Sequence, residues 1–352
     1  MKTFSELISS LLNYISNSYD KTEGSFIYDS VAPVAKELEN SYLELEKVSD
    51  KLDIENLEGN DLEQYVYQRT GIERLSATYA TGELTVNGNG TVSEGDLFET
   101  ESGIQFEATE TVTITETGTV NIKAVEAGPS GNVPAEQINL MPVTIEGITS
   151  VINDEATADG FEAETDEALL IRYYERRKTP ATSGNIAHYI NWAKEVAGVG
   201  GAKVFPLWDG NNTVKIRIID ADKQPASAGL IDTVQEYIDP LSEGKGEGQA
   251  PIGAYCTVES AVALNTNVEF TVVKDTSVDD STRQANVEAS ITEYLANIAF
   301  LSDYVGYGNI GSAILASEGV EGYDNLTVNG GTSNISIPDT EVAILGTVTI
   351  ND

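Results

Sequence analysis

The sequence predicts an α+β multidomain protein: an N-terminal helical bundle segment, an antiparallel β domain, then helices and two small α+β modules. Apolar residues recur at helical spacing up to about residue 70. From Thr78 onward, Thr, Val and Ile alternate with polar residues, and Gly-Asn pairs interrupt the runs. Later, a strand pattern followed by a helix pattern occurs twice. The predicted domain limits are 1–77, 78–160, 161–245 and 246–352.

Composition limits the classes of partner and chemistry. The formal net charge of -37 disfavours nucleic acid and anionic membrane surfaces, and it favours proteins with basic patches. The single cysteine, Cys256, cannot form an internal disulfide, and the single histidine, His188, cannot build a His-rich metal site. No apolar run is long enough to span a bilayer. We therefore expect synthesis in the cytoplasm, no disulfide and no membrane insertion.

The first twenty residues predict an amphipathic helix that requires a packing partner. Its apolar residues follow the i, i+3, i+4, i+7 spacing of one helix face: Phe4, Leu7, Ile8, Leu11 and Ile15. Polar residues interrupt the apolar run and no small-residue cleavage site follows, so an export signal is not expected.

The second predicted helix carries a seven-residue seam. Val31, Leu38, Leu45 and Leu52 form the seam, with Ala35 and Tyr42 four residues beyond its first two members. Asp29 or Ser30 is a candidate cap, and Pro33 lies in the first predicted turn. The seam either closes a hairpin with the first helix or joins a bundle with other chains. The predicted partner-docking residues are Leu7, Leu11, Ile15, Val31, Leu38, Tyr42, Leu45 and Leu52. A short third helix, from about Asp61 to Arg69, ends at Gly71.

The segment from Thr78 predicts short antiparallel strands with an acidic surface. Between Thr78 and Ile171 only Lys123 is basic, whereas acidic residues recur on nearly every predicted strand. This pattern favours a solvated β face over an acidic binding groove.

The stretch GFEAETDEALLIRYYERRK, residues 160–178, begins with four carboxylates, Glu162, Glu164, Asp166 and Glu167, and ends with the basic cluster Arg176, Arg177 and Lys178. A helix from Asp166 to about Arg177 would have acids at its positive end and bases at its negative end, which suits the helix dipole without any chemistry. Thr179-Pro180 would stop it. A further helix, from about Asn185 to Ala197, carries His188 and Trp192 on one side.

A weak internal duplication follows. TVKIRIID precedes a helix containing LIDTVQEYI, and NVEFTVV precedes a helix containing VEASITEYL. The glycine-rich SEGKGEGQ, residues 242–249, lies between them as a predicted linker. Two successive α+β modules with antiparallel sheets are the prediction, and chance similarity between amphipathic patterns is the alternative.

Each candidate chemical motif has a simpler structural interpretation. The acids of FEAETDE are crowded at a helix start, whereas glycosidase carboxylates face each other across a cleft. DGNN at Asp209 and DADK at Asp220 do not complete a calcium loop. NGNGTVSEG joins two predicted strands, so it is read as a hairpin. A dinucleotide-binding fingerprint would instead join a strand to a helix. His188 lacks a nucleophile motif and Cys256 is expected in a core. We predict no catalytic residue, no metal site, no cofactor and no enzymatic activity.

Several motifs in series resemble the baseplate J-like family. They lie at Gly59 to Val86, Ala127 to Ile138 and Gly160 to Asp220. The family's GI-x-R turn before the β region has its counterpart in Gly71, Ile72 and Arg74, and the glycine before the E-T-D helix start in Gly160. Members of this family are wedge proteins of contractile phage tails and phage-tail-like bacteriocins.

The resemblance implies a structural protein, without catalytic residues, that links neighbouring wedges around the tail axis. Its partners would be other wedge proteins and further copies of itself in a six-fold assembly. Assembly would occur in the bacterial cytoplasm, and the mature location would be the tail baseplate. Four charged residues are then candidates for a subunit contact, or for a brace between two domains: Glu164, Asp166, Arg176 and Arg177. A tail-associated protein that binds or degrades polysaccharide is the alternative function, and an exported adhesin is disfavoured.

Overall fold

The computed structural model describes residues 2–178 and 182–351. The chain divides into two compact units. One comprises the chain up to Glu73 together with Thr165–Tyr173, and the other comprises Arg74–Glu164 and the chain from Tyr174 onward. The α+β multidomain prediction is confirmed, because helices come first, an antiparallel sheet follows and two small sheets with helices complete the chain. The predicted stop at Thr179-Pro180 lies outside the described residues.

The first unit is helical. Its helices are α1 (Phe4–Asn13), α2 (Phe26–Asp50) and α3 (Gly59–Thr70), together with the first part of α4 (Asp166–Lys178). Ser25 caps α2 by accepting a hydrogen bond from the backbone N–H of Tyr28 at 3.2 Å. The predicted cap at Asp29 or Ser30 is therefore wrong, since the helix begins one turn earlier. Gly71 ends α3 with a φ of 70°, as its position after the apolar pattern predicted.

Helices α1 and α2 pack against each other. Leu7, Ile8 and Ala35 are buried between them, and Val31 and Tyr42 are partly buried there. The structure thus shows the first two helices as a hairpin. Within the predicted seam, the hairpin covers Val31, Ala35 and Tyr42.

The β domain is one antiparallel sheet that nearly closes on itself. Its six strands follow the order β5-β2-β3-β4-β1-β6. At the two edges, Asn153 accepts backbone hydrogen bonds from Glu136 at 2.7 Å and Ile138 at 2.8 Å, which joins the segment after β6 to β5. The core contains Leu84, Phe98 and other apolar side chains. The strands are β1 (Thr81–Val92), β2 (Leu97–Thr100), β3 (Gln105–Ala108), β4 (Val112–Ala124), β5 (Ile138–Leu140) and β6 (Ile148–Ile152).

The first α+β module follows α4. Its sheet has the order β7-β8-β9, in which β7 and β8 are antiparallel and β8 and β9 are parallel. Tyr189, Trp192 and Val234 bury apolar surface between the helices and this sheet. The elements are α5 (Ile186–Glu195), β7 (Val199–Pro206), β8 (Thr213–Asp220), α6 (Ala228–Ile238) and β9 (Tyr255–Ser260).

The second module has the same sheet design. Its main sheet has the order β12-β10-β14, in which β10 is antiparallel to β12 and parallel to β14. Phe270, Ile291 and Ile314 lie in its core. The elements are β10 (Val262–Lys274), α7 (Asp280–Ile298), β11 (Tyr304–Val305), α8 (Tyr307–Ala316), β12 (Val320–Val328), β13 (Ile335–Ser336) and β14 (Glu341–Asn351).

Both modules contain the predicted strand-then-helix unit, although their other elements come in a different order. In both modules a central strand leads through a helix to a parallel neighbour: β8-α6-β9 and β10-α7-β14. In both, a ten-residue helix also turns through a glycine into the antiparallel edge strand. Gly198 has a φ of 91° and Gly319 a φ of 95°, a backbone conformation that suits glycine. The helix-to-edge-strand unit precedes the central strand in the first module and follows α7 in the second.

Two details of the predicted modules require correction. The sheets are mixed rather than antiparallel, because β9 and β14 are parallel to their neighbours. The glycine-rich residues 242–249 also lie inside the first module, between α6 and β9, instead of linking the two modules. The chain passes from one sheet to the next between Ser260 and Val262.

Candidate functional site

The acidic residues ahead of α4 are engaged in contacts that define chain geometry. Glu164 exchanges hydrogen bonds with Leu75: its N–H donates to Leu75 O at 2.9 Å, and its carboxylate accepts from Leu75 N at 3.1 Å. Arg74 Nη1 also donates to Glu164 O at 2.7 Å. In the helical unit, Asp166 accepts a hydrogen bond from the N–H of Gly59 at 2.9 Å. These carboxylates fix a turn and a helix start, in agreement with the structural interpretation of the stretch.

The basic end of α4 is paired with the next helix. Arg176 lies 3.6 Å from a carboxylate oxygen of Glu195, and Lys194 forms an ion pair with Glu175. Arg177 is exposed at the end of α4. Glu164, Asp166 and Arg176, three of the four charges predicted to contact another subunit, thus make contacts within their own chain.

His188 and Cys256 have the packed environments that the sequence predicted. His188 stacks on Trp192 with ring centroids 3.9 Å apart, and its Nδ1 accepts a hydrogen bond from Gly184 N at 3.2 Å. Desolvation lowers the pKa of His188. Cys256 is fully buried on β9, and burial raises the pKa of its thiol to about 12. A neutral buried thiol is a poor nucleophile.

The described residues also lack a cluster suited to a metal. Within residues 2–178 and 182–351, no three His, Cys, Asp or Glu side chains come together in a way that could hold an ion. Across the same ranges, no helix combines the length and apolar character that a membrane span requires.

Asp220, at the end of β8, has a raised pKa. Burial is the largest cause and raises the pKa to about 6, and Gln224 N donates a hydrogen bond to this carboxylate at 2.7 Å.

The predicted docking residues divide into a covered group and an exposed group. Leu7 is buried, and Leu11, Val31 and Tyr42 are partly buried between α1 and α2. Ile15, just after α1, is also partly buried. Leu38, Leu45 and Leu52 are 38%, 62% and 78% exposed. The covered group therefore packs within the hairpin of α1 and α2, whereas the exposed group faces solvent.

The geometry of a straight helix explains this division. A seven-residue repeat drifts by about 20° per heptad around an α-helix. The seam begins at Val31, beneath α1, and drifts into solvent by Leu45 and Leu52. Val34 and Val48 lie in the same sector of α2 and are 52% and 59% exposed. The heptad reading missed these two valines, which the 3.6-residue period of the helix would have found.

We define the exposed stripe as Val34, Leu38, Leu45, Val48 and Leu52. The first four lie on α2 and, at 100° per residue, occupy a sector of about 80° next to the sector that α1 covers. Leu52 follows two residues after the helix ends. Helices commonly bind grooves and other helices through an apolar row of this kind. The exposed stripe is therefore the strongest candidate contact surface of the helical unit.

Three family models match the chain in series. They are described as the Baseplate J-like protein barrel domain at residues 80–160, the Baseplate J-like central domain at 181–260 and the Baseplate J-like protein C-terminal domain at 266–351. The first coincides with the β domain, and the other two with the two α+β modules.

Relatives extend the similarity over nearly the whole chain. The "Uncharacterized protein YqbT" of Bacillus subtilis (strain 168) is 36% identical over 352 residues, with 99% of this chain and 97% of that protein covered. The "Phage-like element PBSX protein XkdT" of the same strain is 36% identical over 350 residues, with the same coverage. "Baseplate protein gp47" of Escherichia phage Mu is 29% identical, with 79% and 78% covered. The chain belongs to the Baseplate J-like family.

Proposed function

We propose that this protein is a structural component of a tail baseplate, in a phage or a phage-tail-like particle, and that it links neighbouring wedges through protein–protein contacts. The names of its relatives support the baseplate role, since one is a baseplate protein of a phage and another belongs to a phage-like element. The protein acts without catalysis. It is assembled in the bacterial cytoplasm, beside other wedge proteins and further copies of itself, in a six-fold arrangement.

The observation that carries the linking role is the exposed stripe on α2. α1 has 10 residues and α2 has 25, so α1 is about 15 Å long and α2 about 37 Å. Leu45 on α2 and Leu52, two residues past its end, thus remain exposed, because α1 covers α2 only in part. We assign the exposed stripe to a helix of another wedge protein, which would bury this apolar row in a bundle.

Charge indicates what that partner carries. The protein has a formal net charge of -37, so a second protein with basic residues beside its own apolar row gains long-range attraction. Acids flank the stripe on α2, among them Glu37 and Glu44. We therefore propose a partner helix with Lys or Arg at the rim of an apolar seam.

The test places charge on the exposed stripe. In the variant Leu38→Asp with Leu45→Asp, a partner helix would have to bury two unpaired carboxylates, which costs several kcal/mol. Because both side chains face solvent in the isolated chain, we expect circular dichroism of the variant to match the parent. We expect the variant to be absent from sedimented particles.

The matched control is Leu43→Asp. Leu43 is 41% exposed and lies on the opposite side of α2 from the stripe. This variant should enter particles at the parental level. Parental incorporation of the double variant would show that the stripe is not the docking element. Electron-microscopy density for the chain at a place other than the baseplate would overturn the structural role itself.

A further inference from the structure

Helices α5 and α6 of the first α+β module pack on one face of its sheet, and the opposite face carries a different set of side chains. Because side chains alternate along a strand, Ile216, Ile218 and Val258 point to the helices, and their neighbours in sequence point away. We name the outward group the basic face, after its three cations: Lys203, Phe205, Lys215, Arg217, Tyr255 and Glu259.

The strand register makes the basic face one continuous surface. Lys203 on β7 lies directly opposite Arg217 on β8, which in turn lies beside Glu259 on β9. One row further along the sheet, Phe205 lies opposite Lys215. The carboxylate of Glu259 pairs with both Lys215, at 2.7 Å, and Arg217, at 2.8 Å, so side chains also join the rows.

Aromatic rings lie among these cations. Lys215 Nζ is 3.6 Å from the centre of the Trp208 ring, and Trp208 is 42% exposed. Tyr255, beside Thr213 on the neighbouring strand, is 46% exposed, and Phe205 is partly buried. The basic face thus offers charge and aromatic surface to the same partner.

The sheet design does not require cations on this face. The second module has the same mixed sheet, yet the outward positions of its central strand β10 hold Asn267, Glu269 and Thr271. Two like charges directly opposite each other on neighbouring strands, such as Lys203 and Arg217, also disfavour strand pairing. The three cations therefore need another explanation.

Part of this charge braces the first module against the second. Arg217 Nη1 donates a hydrogen bond to Thr340 O at 3.4 Å, and Lys203 Nζ lies 3.2 Å from a carboxylate oxygen of Asp339. The side chain of Asp339 is 80% exposed, so water screens its attraction for Lys203. Lys215 pairs within the first module. The brace thus accounts for Arg217 better than for the two lysines.

The charge of the basic face indicates its partner. Its three cations share two carboxylates, Glu259 and Asp339, in a chain with 57 acidic and 20 basic residues. This local excess of positive charge attracts an acidic partner. The phosphates of a nucleic acid would extend past the basic face, where the net charge of -37 repels them. A short acidic segment of a protein brings few charges and can also place an apolar side chain on the aromatic rings.

We propose that the basic face binds an acidic peptide segment of another baseplate protein. Carboxylates of this segment pair with Lys203 and Lys215, and an apolar side chain beside them packs on Trp208 and Tyr255. Residues 213–217 extend over about 13 Å, which matches about four residues of an extended segment. The proposal rests on the proposed function only for the source of the segment, because the binding itself is a property of the isolated chain.

The experiment uses acidic polypeptides as probes. Binding of the purified full chain to a random copolymer of glutamate and tyrosine is measured by isothermal titration calorimetry at about 50 mM salt. Polyglutamate and a thymidine oligonucleotide of matched charge are measured beside it. We expect a Kd for the copolymer in the tens to hundreds of micromolar, which weakens as salt rises. Polyglutamate, which lacks aromatic side chains, and the oligonucleotide should both bind more weakly than the copolymer.

Two variants assign the binding to the basic face. Lys203→Gln with Lys215→Gln should weaken the Kd for the copolymer at least about fivefold. Trp208→Ser keeps all three cations and should weaken binding of the copolymer but not of polyglutamate. The matched control is Lys36→Gln with Lys47→Gln, which makes the same change of charge at side chains on α2 that are 62% and 69% exposed, and it should bind as the parent does. Circular dichroism checks the folding of each variant.

Three results would overturn the proposal: no copolymer binding up to about 1 mM, tighter binding of the oligonucleotide than of the copolymer, or a parental Kd in either variant of the basic face. These results are independent of particle incorporation. A chain that binds the copolymer through the basic face yet is absent from baseplates would refute the proposed function and leave the acidic-peptide site standing. A chain that enters baseplates but does not bind the copolymer would lose this site alone.

Discussion

Glu164 and Leu75 are joined by a reciprocal pair of hydrogen bonds, one through the main chain of Glu164 and one through its carboxylate, at 2.9 and 3.1 Å. The pair ties the segment before α4 to the chain that enters the β domain. A carboxylate in a dense acidic stretch thus acts as a hydrogen-bond acceptor for the backbone.

This pair predicts a difference between two substitutions. Glu164→Ala removes the acceptor of the Leu75 N–H and should lower the free energy of unfolding by about 1–2 kcal/mol, whereas Glu164→Gln retains an acceptor oxygen and should cost less. Urea denaturation followed by circular dichroism measures both. Equal losses in the two variants would mean that the charge, and not the acceptor, matters.

The same stretch yields a prediction about chemistry. Replacing Glu162, Glu164 and Glu167 together by Gln should change stability or assembly only, because Glu164 makes a structural contact and the other two are exposed. The parent and the triple variant should be compared on polysaccharide arrays and in glycan-cleavage assays. A cleavage activity in the parent that the triple variant lacks would contradict the structural role.

Asp220 predicts a dependence of stability on pH. Burial is the main cause that raises its pKa from 3.8 to about 6 in the folded protein, so its contribution is most favourable below about pH 4 and is lost as pH rises through 6. Asp220→Asn keeps an acceptor for Gln224 N and should gain about 1–2 kcal/mol relative to the parent at pH 7.5, and little at pH 4. Thermal unfolding across this range provides the measurement. Asp232→Asn, an exposed position on α6, is the control and should show no such gain.

Replacing the buried Arg283 should cause a large loss of stability. Its side chain is 2% exposed and donates to Gly319 O at 2.7 Å, Asp275 O at 2.8 Å and Val278 O at 2.6 Å. Arg283→Met would leave these carbonyls without their donors and should cost about 3–5 kcal/mol. Asp280→Asn alters an ion-pair partner that is 77% exposed, so water screens the pair and the loss of stability should be far smaller. Comparable losses from the two variants in urea denaturation would contradict this account.

Association with other wedge proteins should depend on salt. Attraction between this acidic chain and basic patches on a partner acts over about 10 Å at 0.1 M salt and less at higher concentrations. The association rate of purified wedge components, measured by stopped-flow light scattering, should therefore fall as salt rises. A rate that is the same at low and high salt would remove electrostatic attraction from the proposed function.

The sequence predicted elements well where the signal was local. The strand-then-helix units β8-α6 and β10-α7 and the end of α3 at Gly71 follow from apolar periodicity and glycine position. The parallel pairing of β9 and β14 was missed, because strand direction depends on contacts between segments far apart in the chain. Residues 242–249 look like a linker by composition, yet the buried Asp239 holds this loop against β9.

The contact surface on α2 also could be predicted only in part from the sequence. Spacing identified the α2 seam but could not state which of its residues α1 would cover, since that depends on the length and position of the neighbouring helix. Asp239 and Arg283 were also missed, because charged residues are usually expected at the surface.

The two modules differ in where the helix-to-edge-strand unit lies along the chain. Between the helix and its parallel strand, the first module has only a short turn and the glycine-rich loop, whereas the second has α8 and β12 with two short strands. The central strand, its helix and the parallel strand are present in both. This architecture therefore accommodates the helix and edge strand either ahead of the central strand or at the return from helix to sheet, while the sheet retains its pairing.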